Sequence, residues 1–295
     1  ADTVKGERKM NEIKKITLKN GVTLAYKEIG AGDKYLISTQ NFFLTDCHME
    51  LLGKSPYDYH CFLIYMRGYG ESDHIFDSTP KDYTKIWGQD VIDFAQAMNI
   101  PDFYYTGVSH GNWAGWYIAF HRPELIRGFV CCDGIAQYRP MSDRQPGMPV
   151  SGLDVKKLVG NQKALEAMAW MEHWPTKNPK RLARREANHR EHTQILMNRK
   201  AEEFMICNNN MCACDVKSEK ELYEKMSKIP FPTMILCGGL DPLATADKCL
   251  EAAQAIPGAR LLVYQHLGHG GPDECPELIA RDCDRFFKDT QERIL

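Results

Sequence analysis

The chain has 295 residues, a length that suits one large domain with a substantial core, with or without an insertion. Hydrophobic residues make up 43% of the chain and charged residues 26%, as in ordinary globular proteins, and no apolar run reaches the roughly 18 residues that a membrane-spanning helix needs. The net charge of -2 lacks the basic excess of a dedicated nucleic-acid binder. The composition therefore excludes a disordered chain and argues against nucleic-acid and membrane partners.

The eleven cysteines are scattered along a chain that is too long to depend on disulfide bonds for its stability. Residues 1–11 are polar, with Lys5, Arg8 and Lys9, and have no apolar core of the kind that a secretory signal requires. We therefore expect reduced thiols, a cytoplasmic location and a frayed tail over residues 1–11.

Short apolar runs alternate with helical stretches from residue 16 onward, which predicts a mostly parallel sheet with helices on both faces. Asn20-Gly21 is a two-residue hairpin signal, so the first two strands should be antiparallel. Apolar side chains recur every three or four positions over residues 82–98, which predicts an amphipathic helix ended by Pro101. The predicted strands are 16–19, 22–28, 35–39, 61–66, 103–108, 127–132, 232–238 and 260–264, and the predicted helices are 46–52, 82–98, 110–121, 246–255 and 276–287.

The alternation of strands and helices is interrupted between residues 135 and 228, where no clear strand is found. We predict that residues 135–228 form a helical cap inserted into a core made of residues 12–134 and 229–295. A cap roofs the site below it, so its Trp170 and Trp174 are candidates for substrate contact. The basic stretch over residues 177–190 predicts a solvated helix face, or a surface that steers an anionic substrate.

The pentapeptide Gly107-Val108-Ser109-His110-Gly111 has the form G-x-S-x-G and lies where a predicted strand meets a predicted helix. A serine in so sharp a turn has a strained backbone, and side chains two residues to either side would collide, which is why glycines are needed there. The backbone N–H of His110 then lies at a helix N-terminus, where it can stabilise an oxyanion. This context predicts that Ser109 is a nucleophile.

A serine hydroxyl is a weak nucleophile, so Ser109 needs a base within hydrogen-bond reach and a third group that orients the base. Two segments that follow later strands supply candidates, Asp241 after Gly238-Gly239-Leu240 and His269 after Leu267-Gly268. His266 is the alternative base, and Asp133, at the end of the strand 127–132, is the alternative acid.

Together with Arg67-Gly68-Tyr69-Gly70-Glu71-Ser72, these segments resemble the α/β-hydrolase superfamily over residues 16–287. The resemblance implies an α/β-hydrolase fold and a triad of Ser109, Asp241 and His269, in that chain order. It also implies a second oxyanion donor after the third strand. Where relatives often have His-Gly, this chain has Gln40-Asn41-Phe42-Phe43, so we expect the N–H of Phe42 to serve, with Asn41 as the neighbouring option.

The stretch from Ser109 to Trp113 also resembles the Ser-His-Gly-x-Trp sequence of cofactor-independent heterocycle dioxygenases of this fold, in which a histidine-aspartate pair deprotonates the substrate. We therefore keep Trp113 and Asn41 among the candidate substrate contacts. The paired spacing of structural zinc sites is missing from Cys207, Cys212 and Cys214, so we expect these cysteines to be unligated thiols. No known metal motif is completed by His189 and His192, so we expect these histidines to be surface residues.

The sequence thus predicts a hydrolase that cleaves a carboxylic ester, lactone or thioester through Ser109, His269 and Asp241, with His110 and Phe42 binding the oxyanion. No metal or organic cofactor is expected, and the partner is a small-molecule substrate, while the oligomeric state stays open. The alternatives are a cofactor-free dioxygenase or carbon-carbon bond hydrolase that uses the same positions, and a small-ligand-binding protein without turnover.

Overall fold

In a computed structural model, the described residues are 12–75, 81–138, 155–170, 176–206 and 210–291, and they form a mostly parallel sheet with helices on both faces. The eight strands lie in the order β1-β2-β4-β3-β5-β6-β7-β8. Their bounds are β1 Ile13–Thr17, β2 Thr23–Ile29, β3 Tyr35–Gln40, β4 His60–Tyr65, β5 Phe103–Val108, β6 Ile126–Cys132, β7 Thr233–Gly238 and β8 Arg260–Tyr264. The predicted tail over residues 1–11 lies outside the described residues.

The sheet opens with an antiparallel hairpin, as predicted, but residues 18–22 connect its strands, so the expectation of a two-residue connection at Asn20-Gly21 is wrong. Strand β1 pairs with β2 so that Ile16 lies opposite Leu24, and Gly21 has a φ of +86°, a left-handed value that glycine adopts without strain. Strand β2 is also antiparallel to β4, whereas every pairing from β4 to β8 is parallel. The carboxyl ends of the parallel strands therefore meet at one edge of the sheet.

Helices cover both faces of the sheet and enclose two apolar clusters. One cluster joins the sheet to α2, α3 and α8, and it includes Trp87, Trp116 and Cys249. The other lies under α1 and α10 on the opposite face and includes Leu52 and Phe286. The helices are α1 His48–Leu52, α2 Tyr83–Ala97, α3 Asn112–His121, α4 Val155–Leu158, α5 Gln162–Trp170, α6 Pro179–Met197, α7 Glu219–Met226, α8 Ala246–Ala255, α9 Gly271–Glu274 and α10 Pro276–Gln291.

Helix α2 lies where the apolar spacing predicts it, but Pro101 does not end it. The side chain of Asp82 accepts a hydrogen bond from the Lys85 N–H and caps the first turn. The helix ends at Ala97, and Asn99 then takes a left-handed conformation with a φ of +55°. Asparagine is among the few residues that adopt this conformation readily, so the local stop signal precedes the proline.

The segment predicted as a cap contains α4 to α7, and no strand occurs in its described part. Leu158, Leu165, Leu196 and Phe204 form a small apolar cluster of their own, separate from the two clusters of the sheet. Leu222 and Met226 of α7 belong instead to the cluster of the sheet that contains Trp87. The boundaries of the cap at residues 135 and 228 stay a prediction.

Candidate active site

The turn between β5 and α3 has the strained form that the G-x-S-x-G segment predicts. Ser109 has a φ of +48° and begins a short 3-10 turn, Ser109–Gly111, ahead of α3. A Cβ atom on Gly107 would lie 2.6 Å from the Gly111 carbonyl carbon, and one on Gly111 would lie 2.2 Å from the Thr39 carbonyl oxygen. Both glycines are therefore required by backbone packing around the serine.

Asn112 fixes this turn to the neighbouring strand, a role that sequence reasoning missed. Its side-chain amide donates to the carbonyl of Cys132 at 2.7 Å and to that of Ser109 at 3.3 Å, and the residue is fully buried. A polar residue in the otherwise apolar helix Asn112–His121 was the available signal. The hydrogen bonds tie the serine backbone to the end of β6.

His269 reaches Ser109 from the loop after β8. Its Nε2 atom lies 2.8 Å from Ser109 Oγ, and its Nδ1 atom lies 2.8 Å from Asp241 Oδ2. An ionised carboxylate can only accept, so Nδ1 carries the ring proton and Nε2 accepts the hydrogen bond from the serine hydroxyl. This arrangement can take the hydroxyl proton as the oxygen attacks an electrophile.

The carboxylate of Asp241 is held rigidly in the loop after β7. Its Oδ1 atom accepts from the N–H groups of Leu243 at 2.7 Å and Ala244 at 3.1 Å, while Oδ2 faces His269. Its side chain is fully buried. Three donors therefore fix both oxygens of the group that orients the imidazole.

Asp133, the alternative acid, does not bond to His269. Its Oδ1 atom accepts from the Gly238 N–H at 2.9 Å, and its buried Oδ2 atom has no hydrogen-bond partner in the described part of the chain. Burial, and then the charge of Asp241, raise the pKa of Asp133 well above its ordinary value. The alternative base His266 is exposed. The structure thus places Asp241 and His269, rather than the two alternatives, in line with Ser109.

The loop after β3 lies against the serine turn. The Gln40 side-chain amide donates to the Val108 carbonyl at 2.8 Å, and its Oε1 atom accepts from the Asn41 N–H at 3.2 Å. The N–H of Asn41 is therefore engaged, whereas that of Phe42 donates to no described residue. The His110 N–H lies in the first turn after Ser109, where N–H groups have no acceptor within the helix. The assignment of Phe42 and His110 as the pair of oxyanion donors stays a prediction.

The side chain of His110 faces charged and aromatic neighbours. Burial, and then the charges of His269 and Arg199, lower the pKa of His110 to about 4, so the imidazole is neutral at pH 7. Its ring lies edge-on to Trp113 at 4.6 Å, and Trp113 stacks on Trp87 at 6.0 Å between ring centroids. Trp113 is only 6% exposed, so the candidate substrate contact lies mostly within the core.

Part of the predicted cap packs on the loop after β3. The ring of His192 stacks on that of Phe42 at 4.3 Å and is 9% exposed, so the expectation that His192 is a surface residue is wrong. Sequence spacing could not show that this face of α6 meets the loop. Trp170 ends α5, but its side chain, like all of Trp174 and Cys207, lies outside the described residues.

Two arginines of the basic stretch are not solvated. Arg181 and Arg185 both bind Glu274 of α9, with closest distances of 2.7 Å and 2.6 Å, and the Glu274 side chain is 2% exposed. Arg181 also donates to the carbonyl of His266 at 3.3 Å, and Asn188 donates to that of Asp273 at 2.6 Å. Helix α6 is therefore bound to the segments on either side of His269.

One group of three possible metal ligands occurs among the described residues, His48, Cys132 and Cys283, all buried in the core. A thiol–thiol hydrogen bond to Cys283, and then burial, raise the pKa of Cys132 well above its ordinary value. Metal binding needs thiolates, so the raised pKa of Cys132 disfavours metal binding by this group.

In the described part of the chain, no helix has the length and apolar character needed to cross a membrane.

A family model described as the alpha/beta hydrolase fold matches residues 45–274. The chain belongs to this α/β-hydrolase family. The match spans the serine turn, the loop of Asp241 and the loop of His269. A search of curated protein sequences finds no significant match.

Solved structures of other α/β-hydrolases share the fold at low sequence identity. A hydrolase from Pseudomonas aeruginosa PA01 is 19% identical with a TM-score of 0.70, over 93% of this chain and 98% of its own. The enol-lactonase from Burkholderia xenovorans LB400 is 18% identical with a TM-score of 0.71, over 93% and 100% of the two chains. A thermophilic esterase from Thermogutta terrifontis, with malate bound, is 19% identical with a TM-score of 0.71, over 95% and 99%. These likenesses establish the α/β-hydrolase architecture of this chain.

Proposed function

We propose that the protein is a serine hydrolase that transfers an acyl group from an ester, lactone or thioester to water. The observation that carries the proposal is the pair of 2.8 Å contacts that His269 makes, one with Ser109 Oγ and one with Asp241 Oδ2. A base bonded to both a hydroxyl and a buried carboxylate is the arrangement that activates serine.

In the first half of the reaction, Ser109 Oγ bonds to the substrate carbonyl carbon while its proton passes to His269 Nε2. The carbonyl oxygen becomes an oxyanion, which accepts hydrogen bonds from the backbone N–H groups of His110 and Phe42. The tetrahedral intermediate then collapses, the bond from the carbonyl carbon to the leaving oxygen or sulfur breaks, and the leaving group takes the proton from His269. An acyl-Ser109 ester remains.

In the second half, His269 Nε2 takes a proton from a water molecule as the water oxygen attacks the acyl carbon. The second tetrahedral intermediate collapses with return of the proton to Ser109 Oγ and release of the carboxylic acid. Asp241 stays ionised throughout and stabilises the imidazolium that forms in each half. Apart from the substrate and water, every group used in these steps belongs to this chain.

The substrate class draws support from the structural neighbours, which include an enol-lactonase and an esterase. Lactones and esters present the same electrophilic carbonyl carbon to a serine. The sharp turn at Ser109, with its φ of +48°, is consistent with attack on such a carbon because it exposes Oγ at the carboxyl edge of the sheet.

A fluorophosphonate probe and a panel of p-nitrophenyl esters of graded chain length test the proposal. We expect a covalent adduct on Ser109 and ester turnover that falls by at least about a thousandfold in Ser109→Ala. Ser227→Ala is the matched control, because Ser227 is exposed in the predicted cap. Substantial activity of Ser109→Ala on a substrate would favour a dioxygenase, and a folded wild type with neither adduct nor turnover would favour a binding protein.

A further inference from the structure

We propose that Arg199 binds the carboxylate of an anionic substrate, so that the preferred substrates are short esters or lactones that carry a second, ionised carboxyl group. This inference deepens the proposed function, since it names the substrate class of the same site. It rests on where the guanidinium lies.

Arg199 is the second residue after the end of α6 and lies against the loop that carries the candidate oxyanion donor. Its Nη2 atom donates to the Asn41 carbonyl at 3.4 Å, and its Cζ atom lies 5.9 Å from the centre of the Phe42 ring. The same loop is tied to the residue before the nucleophile by the bond from Gln40 to Val108. A fixed cation thus stands beside the loop that faces Ser109.

Aromatic rings hold this guanidinium in place. Its Cζ atom lies 5.2 Å from the centre of the Tyr69 ring and 6.0 Å from that of Phe204, in addition to the Phe42 ring. Rings on several sides limit the rotamers of the arginine and reduce the solvation of its charge. In such surroundings a charge-assisted hydrogen bond to an anion is stronger than in water.

The positive charge of Arg199 affects the pKa of a residue in the nucleophile turn. It contributes to the lowering of the pKa of His110, the residue next to Ser109. Because the guanidinium contacts the loop of the candidate oxyanion donor Phe42, a substrate whose carbonyl lies at Ser109 would direct a carboxylate on a short chain toward it.

The guanidinium also selects the kind of anion. Its planar set of donors matches the two oxygens of a carboxylate, and the neutral imidazole of His110 adds no positive charge to the site at pH 7. Half-esters of diacids and lactones of oxo-diacids combine an electrophilic carbonyl with such a carboxylate. Neutral esters of equal length lack the charge.

The test compares monomethyl glutarate with methyl 4-carbamoylbutanoate, its neutral amide counterpart, in wild type and Arg199→Gln. We expect the wild type to prefer the anionic ester in kcat/KM by about 10-fold or more, and Arg199→Gln to lose about 10- to 100-fold on it, mainly through KM. Arg190→Gln, at an exposed position of α6, is the matched control and should keep the preference. Absence of a preference in the wild type, or an equal loss on both esters in Arg199→Gln, overturns the inference.

Binding of glutarate dianion, measured by calorimetry, separates this inference from the proposed function. We expect binding to wild type that weakens between 0.05 and 0.5 M NaCl, as ionic contacts do, and that is lost in Arg199→Gln. Glutaramide should not bind. If Ser109 takes up no probe and no ester is cleaved, the proposed function is wrong, and glutarate binding still tests whether Arg199 forms a carboxylate subsite. If esters are cleaved but glutarate does not bind the wild type, only the subsite proposal is wrong.

Discussion

Arg185 of α6 and Glu274 of α9 form a buried ion pair with 2.6 Å between Nη2 and Oε1, and Arg181 binds the other oxygen of the same carboxylate. Helix α9 begins two residues after His269. The pair therefore couples the predicted cap to the loop that carries the candidate base.

Glu274→Gln should destabilise the fold and slow turnover, because it leaves the buried guanidinium of Arg185 and the partly buried one of Arg181 without their shared counter-charge. We expect a loss of about 3 kcal/mol in the free energy of unfolding, and a fall in kcat of about 10- to 100-fold as the His269 loop shifts. Urea unfolding and ester hydrolysis measure the two effects. Glu277→Gln is the control, since Glu277 is 67% exposed in its pair with Arg184 and should lose less than about 1 kcal/mol.

Asp241→Asn should lower kcat by about 10⁴-fold with little change in stability, because an amide cannot hold the imidazole in the tautomer that accepts the serine proton. Asp133→Asn should stay within about threefold of wild type, since its Oδ1 atom can still accept from the Gly238 N–H. Steady-state kinetics on one ester compares the two variants. The reverse ranking would show that Asp133 is the working acid.

Asp133 also gives the stability of the protein a pH dependence. The folded state raises the pKa of Asp133, so it keeps a proton that the unfolded chain releases above about pH 4. The free energy of unfolding of wild type therefore falls as pH rises from the unfolded pKa toward the folded one, by up to about 1.4 kcal/mol per pH unit.

Asp133→Asn removes this slope, because an amide does not titrate. In urea unfolding at pH 5, 6 and 7, the free energy of unfolding of the variant should rise relative to that of wild type until the pH reaches the folded pKa of Asp133. A constant difference between the two proteins across this range would mean that Asp133 is ionised in the folded state.

Gly111→Ala should reduce both stability and ester turnover. Its Cβ atom would lie 2.2 Å from the Thr39 carbonyl oxygen, so backbone must shift at the nucleophile turn, at a cost of about 3 kcal/mol. Gly128→Ala is the matched control in β6, where a Cβ would meet its nearest atoms at 3.4 Å, an ordinary contact. Thermal unfolding and kcat compare the two, and equal behaviour would contradict the packing argument.

Local patterns determined most of the architecture of this protein. Short apolar runs of strand length, the Asn20-Gly21 turn and the three- and four-residue spacing over 82–98 act within a few residues, so the strands and helices follow from them without knowledge of the rest. The need for glycine at Gly107 is equally local, because its Cβ would collide with Gly111 within the same turn, whereas the collision at Gly111 is with the Thr39 carbonyl of β3 and depends on the tertiary structure.

Only the tertiary structure decided which distant residues meet. Asp133 and Asp241 both follow strands at the same edge of the sheet, and the sequence leaves them open as alternatives. In the structure Asp241 bonds to His269, whereas Asp133 is buried against the Gly238 N–H and its pKa is raised. Likewise, charge alone predicts that Arg181 and Arg185 are solvated, whereas the packing of α6 buries them on Glu274. Burial and long-range pairing depend on how whole elements dock, and no local pattern of residue types encodes that docking.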